Sequence, residues 1–145
     1  MAGKNVETKN IRKVKLTDSP SDPVTLIAIC SSENEFRLSW LLNAELSTNF
    51  SRHDSHSVDR LFLSEGDIYL SPDPNWAILL ANKAENGGYL LPKQKKFDFI
   101  LGLKKSVEEE QVRALVAKIR KVPGVITAIL VEDPSKAVQN LLSLF

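Results

Sequence analysis

The run Val24-Thr25-Leu26-Ile27-Ala28-Ile29-Cys30 is apolar at nearly every position. Its length and its branched side chains favour a central strand over a helix. In an extended chain Leu26 and Ala28 point one way and Ile27 and Ile29 the other. The stretch Val125 to Val131 repeats the property, with Val125, Ile129 and Val131 opposing Ile126, Ala128 and Leu130. Strands of this kind need cover on both faces, which one layer of helices cannot supply. The second face must be shielded by a tail helix, by a long meander, or by another copy of the chain.

The rest of the chain supplies the remaining elements. Ser32 and Glu35 have capping-box spacing and predict a helix over 33–46, with Leu38, Leu41 and Leu42 on its inner face. Ser106 and Glu109 repeat that spacing ahead of Val112, Leu115, Val116 and Ile119, predicting a second helix over 106–121 that stops at Pro123-Gly124. Further strands are expected at 50–52, 61–63, 68–70, 76–81, 89–91 and 97–103, with a hairpin turn at Glu85-Asn86-Gly87-Gly88 and an edge or bulge at Pro92. Val14 and Leu16 read as a short edge strand, and Asp133-Pro134 opens a final helix with Val138, Leu141, Leu142 and Phe145 on one side. Strand 97–103, helix 106–121 and strand 125–131 have the lengths of a β-α-β unit. The expected fold is α+β. A mostly antiparallel sheet carries two helices on one face, in a ferredoxin-like or ACT-like plan with an extra meander and a C-terminal helix. Residues 1–13 are expected to be a flexible segment and 14–145 one domain.

Composition narrows the setting. The chain has 145 residues, a formal net charge of +1 and a single cysteine, Cys30. Near-neutral charge offers no global field for nucleic acid or an anionic membrane. One cysteine excludes an internal disulfide and suits a reducing cytoplasm. No apolar run approaches the ~18 residues of a membrane span.

The stretch Leu91-Pro92-Lys93-Gln94-Lys95-Lys96-Phe97-Asp98-Phe99 resembles the signature of a bacterial family known by its motif as IPExxxVDY. Three other segments are similar to that family's pattern. They are Leu26–Ile29 with Phe36–Asn43 and Phe50-Ser51-Arg52; Asn75-Trp76 with Leu79–Lys83; and Ile119–Ala128. Pro92 and Asp98 match the letters of the motif, whereas Lys93 replaces its glutamate and Phe97 and Phe99 replace its valine and tyrosine. No activity is assigned to the family, so the resemblance implies kinship without chemistry. A lysine also cannot inherit a role as general acid or metal ligand from that glutamate. Arg37, Asn43, Arg52, Pro92 and Asp98 stand out within these segments as functional or structural anchors.

Candidate chemistry is sparse. His53-Asp54-Ser55-His56 is the single histidine cluster and could begin a metal site, although no third histidine exists. Cys30 lies two residues before the predicted helix cap, where a thiol can be activated. Asp98, between two phenylalanines, needs a cationic or backbone N–H partner. Lys93, Lys95, Lys96, Lys104 and Lys105 cluster near Tyr89, Phe97 and Phe99, a combination that can bind single-stranded RNA. No catalytic residue, metal site or cofactor is assigned. The leading expectation is a non-enzymatic cytoplasmic interaction module that forms a homodimer. A small nucleic-acid-binding domain using Lys93–Lys105, and an enzyme built on Cys30, Asp98 and a histidine, are the alternatives.

Overall fold

The apolar run becomes β1 (Thr25–Ser31), an inner strand of a sheet that includes every strand described below. The computed structural model describes residues 25–53, 66–72, 76–84, 87–103 and 107–132. After β1 come α1 (Glu35–Leu46), β2 (Ser51–His53), β3 (Ile68–Ser71), β4 (Ala77–Ala81), β5 (Phe99–Leu103), α2 (Glu109–Arg120) and β6 (Val125–Val131). A single 3₁₀ turn covers Pro92–Gln94. The strand order is β2-β3-β4-β5-β1-β6, and every pairing is antiparallel. The chain is therefore α+β, with an antiparallel six-stranded sheet and two helices. Because β5 and β6 both run antiparallel to β1, they are parallel to each other. The β5-α2-β6 unit is thus split, with β1 inserted between its strands.

Alternation along β1 sorts the core into two layers. Ile27 and Ile29 join Leu38 and Leu42 of α1, Val112, Val116 and Ile119 of α2, and Leu79 and Leu101 of the sheet. Both helices therefore lie on one sheet face. Leu26 and Ala28 join Ile78, Leu80 and Ile100 on the other, and all five are 0% exposed in a single chain. Ala84, Leu90, Leu91 and Phe97, from the segment between β4 and β5, pack into this second layer. The second face is thus buried without a partner molecule, and the open face that motivated a homodimer is not present.

Local chemistry revises several boundaries. The N-cap of α1 is Asn34, whose side chain accepts the Arg37 N–H at 2.8 Å, rather than Ser32. Ser32 is engaged elsewhere: its N–H donates to the Gly124 carbonyl at 3.1 Å. Helix α2 starts after Glu108, which makes no side-chain cap. Ser106, the residue expected there, lies outside the described residues. So do the strands at 14–16 and 61–63, the turn residues Glu85 and Asn86, the final helix and His56. The return strand at 89–91 shrinks to one bridge, Lys83 to Tyr89, and Pro92 takes the first position of the 3₁₀ turn, where its missing N–H is no loss.

Strand β6 is the outer strand of the described sheet on its side, and Ile126 is 69% exposed there. Arg120 donates through Nε to the Ala128 carbonyl at 2.9 Å. A cation placed on an edge carbonyl is a recognised guard against unwanted strand pairing.

Candidate functional site

Helix α1 buries Leu38, Ser39 and Leu42, which turns Phe36 and Trp40 away from the core. Phe36 is 68% and Trp40 59% exposed. Large aromatic side chains usually bury most of their surface, so two on one helix flank form a notable apolar ridge. The Arg37 guanidinium lies 4.8 Å from the centroid of the Trp40 ring, a cation–π contact that stiffens the ridge.

Beside the ridge, between α1 and the β2–β3 edge, runs a cleft of about 470 Å³. Its polar lining includes Ser39, Asn43, Arg52, Asp67 and Tyr69. Arg52 and Tyr69 are direct cross-strand partners, which places both side chains on the helix side of the sheet. Arg52 approaches Asp67 at 3.8 Å, but both side chains are more than half exposed, so this pair orients the arginine more than it stabilises the fold. Burial raises the pKa of the Tyr69 hydroxyl. Asp67 and Glu35 add to that rise, and Arg52 opposes it. The cleft therefore presents a neutral phenol beside a cation. Gly66 sets the loop: its φ is +90°, and the Glu35 carboxylate fills the space a Cβ would need. That positive φ is a conformation glycine adopts readily and other residues rarely do.

Asn43 shapes the cleft through the backbone. Its Oδ1 accepts the Phe50 N–H at 2.7 Å and the Thr48 hydroxyl at 3.0 Å, and its Nδ2 donates to the Phe50 carbonyl at 3.1 Å. These bonds hold the turn after α1, where Ser47 adopts a left-handed conformation with φ 56°. Of the five anchors named from the sequence, the structure thus brings Arg37, Asn43 and Arg52 to one ridge and cleft.

Pro92 and Asp98 belong to a different assembly. The Asp98 carboxylate accepts the Ser31 N–H at 3.0 Å, and the Asp98 N–H donates to the Ile29 carbonyl at 2.9 Å. Asp98 stands just before β5 rather than within it, which leaves it exposed at a strand end. Buried Asn82 holds the segment that carries Pro92. Its Oδ1 accepts the Leu91 N–H at 2.8 Å, and its Nδ2 donates to the carbonyls of Gln94 at 2.9 Å and Phe97 at 3.0 Å. The stretch resembling a family signature is therefore held here by hydrogen bonds from the Asn82 side chain to its backbone.

The alternatives can be placed against this geometry. Burial, followed by the charge and hydrogen bond of Asp98, pushes the Cys30 thiol above its ordinary pKa. A protonated thiol is a poor nucleophile. His53 sits on β2, four strand spacings from β1, or about 19 Å at ~4.8 Å per spacing. It cannot serve Cys30 as a base. Among the described residues no cluster of histidine, cysteine and carboxylates could hold a metal. Lys93, Lys95 and Lys96 are exposed around the 3₁₀ turn, and Lys104 and Lys105 lie outside the described residues. Phe99 is buried under α1 and α2, and Phe97 packs into the second layer, so neither is a base-stacking platform.

The state of the thiol yields an expected result. Cys30 should react with iodoacetamide more slowly than a cysteine in a short peptide at neutral pH, with the rate climbing only above the ordinary thiol range. Asp98→Asn removes the negative charge and one cause of the raised pKa. The pH–rate profile of that variant should shift to lower pH. An unmoved or upward-shifted profile would contradict this account of the site.

Trp40, Phe36, Tyr69 and Asn82 were not singled out as functional in the sequence. The i, i+4 spacing of Phe36 and Trp40 beside a Leu38/Leu42 face was the available signal, since those positions fall off the apolar stripe. For Asn82 the signal was its place in the Leu79–Lys83 segment that resembles the family pattern; its partners, from residue 91 to 97, form no local pattern. No protein-family model, curated protein or solved structure matches the chain.

Proposed function

We propose that the chain is a bacterial, cytoplasmic, non-catalytic interaction module that self-associates, and that the Phe36–Trp40 ridge and its cleft form the contact surface. The observation that carries the reading is the exposure of two large aromatic side chains, one stacked by Arg37, beside a concave site holding Arg52 and Tyr69. Tryptophan, tyrosine and arginine dominate the energetic centres of protein interfaces. The ridge and cleft together carry both signs of charge: Arg37 and Arg52 are accompanied by Glu35 and Asp67. A mixed patch can meet itself across a twofold axis, whereas a nucleic-acid surface would be of one sign. The strand order β4-β5-β1-β6, with both helices on one face, supports a ferredoxin-like or ACT-like core extended by β2 and β3. The resemblance to the IPExxxVDY family belongs to the same proposal.

Sedimentation across a wide micromolar range tests it. The wild type should shift towards a dimer as concentration rises. The double variant Phe36→Ala/Trp40→Ala should stay monomeric, since truncating a hot spot costs at least ~2 kcal/mol, or about 30-fold in affinity. Its melting temperature should hold, because both side chains lie outside the core. A wild-type chain that remains a monomer throughout removes self-association, and a double variant that dimerises normally moves the contact elsewhere.

A further inference from the structure

On the other side of Phe50 from the cleft lies a second recess, between the C-terminal end of α1, helix α2 and the ends of β4 and β5. Its volume is about 330 Å³. Phe50, Ala77, Leu101 and Leu103 form an apolar floor, all buried. Small side chains create the space, with Ala77 in the floor and Ala114 on the wall from α2. The size falls at the lower end of the range for small-molecule sites, about 300–1,000 Å³.

Among the described residues the polar equipment of this recess is limited. Gln111 and Lys118 line it from α2, and Thr48 from the turn after α1. Residues 111, 114, 115 and 118 follow the i, i+3, i+4, i+7 spacing of one helix flank. The Lys118 ammonium has no ion pair among the described residues. The acid nearest to it in sequence on its own helix, Glu110, is eight residues away, or about 12 Å along the axis. Glu109 is already engaged by Arg113 at 2.9 Å. Among the described residues, one cation and one amide above an apolar floor complement a single negative charge on an apolar body.

We infer that the recess is a binding site for a small amphipathic carboxylate, such as a medium-chain fatty acid, with its chain over Phe50, Leu101 and Leu103 and its carboxylate at Lys118. This site shares only Phe50 with the cleft and stands independently of the self-association reading.

Octanoate titrated into the full ¹⁵N-labelled chain tests the assignment, with octanamide as the uncharged control. Saturable amide shifts are expected at residues 46–50, 77, 101–103 and 111–118. Octanamide should bind about tenfold more weakly, the effect of losing a charge-assisted bond. Lys118→Gln should reduce octanoate to the octanamide level, and Ala114→Leu should abolish binding of both by filling the recess. Both positions are exposed on α2, so both variants should fold. Equal binding of the two probes with Lys118→Gln without effect, or shifts confined to the Phe36–Trp40 ridge, would overturn the inference. So would undiminished binding by Ala114→Leu. A ligand-free dimer whose wild-type contact maps to this recess would overturn it as well, assigning the surface to a second copy.

Discussion

Asn82→Ala should lower the unfolding free energy by about 3 kcal/mol, read as a drop in urea midpoint at constant slope. The side chain is 0% exposed and makes three hydrogen bonds, all to backbone groups of residues 91–97. Alanine would leave the Leu91 N–H and the Gln94 and Phe97 carbonyls without this partner. Each buried polar group stripped of its partner costs about 1–3 kcal/mol, and partial access of water to the turn offsets some of the total. Asn82→Asp is the sharper test. It keeps the acceptor for Leu91 but turns a second oxygen towards two carbonyls, so it should be at least as damaging as alanine. A loss below about 1 kcal/mol in both variants would mean that the 91–97 segment does not depend on this clasp.

Leu80→Ala should cost about 2–5 kcal/mol, the range for deleting a fully buried leucine side chain. Leu80 is 0% exposed and lies in the second core layer with Leu26, Ala28, Ile78 and Ile100. The informative part is concentration dependence. If one chain covers that face, the loss is the same at every protein concentration and the sedimentation coefficient does not change. If a second copy covered it, the apparent loss would vary with concentration by mass action. A concentration-dependent loss would therefore return the dimer to the second face and away from the Phe36–Trp40 ridge.

Much of the architecture was legible where the apolar pattern was strong. The strands at 25–31 and 125–131 lie within one residue of where the pattern places them, and the helices through Leu38/Leu42 and Val112/Val116/Ile119 start two and three residues later than 33 and 106. Periodicity works there because each of these elements buries a regular set of side chains. Helix starts were less legible. Ser32 satisfies the sequence rule for a cap, but its backbone N–H is drawn to Gly124, and Asn34 caps instead. The segment 89–97 opens, by its pattern, with a strand return at 89–91 and an edge or bulge at Pro92. A buried asparagine, and not a strand ladder, gathers its backbone groups.

The site was legible only in fragments. Arg37, Asn43 and Arg52 were visible as positions, but nothing local relates α1 to β2 and β3. That relation depends on Asn43 fixing the turn at Phe50 and on the Arg52–Tyr69 register. The sequence by itself determined that the chain would form a two-faced sheet carrying two helices, because side-chain period and apolar content are properties of single segments. Only the tertiary structure decided which segment covers the second face, where Asn82 and Asp98 spend their hydrogen bonds, and which aromatic side chains stay in solvent. Those outcomes depend on contacts between residues far apart in the chain. Their geometry exists only once the strands have taken the order β2-β3-β4-β5-β1-β6.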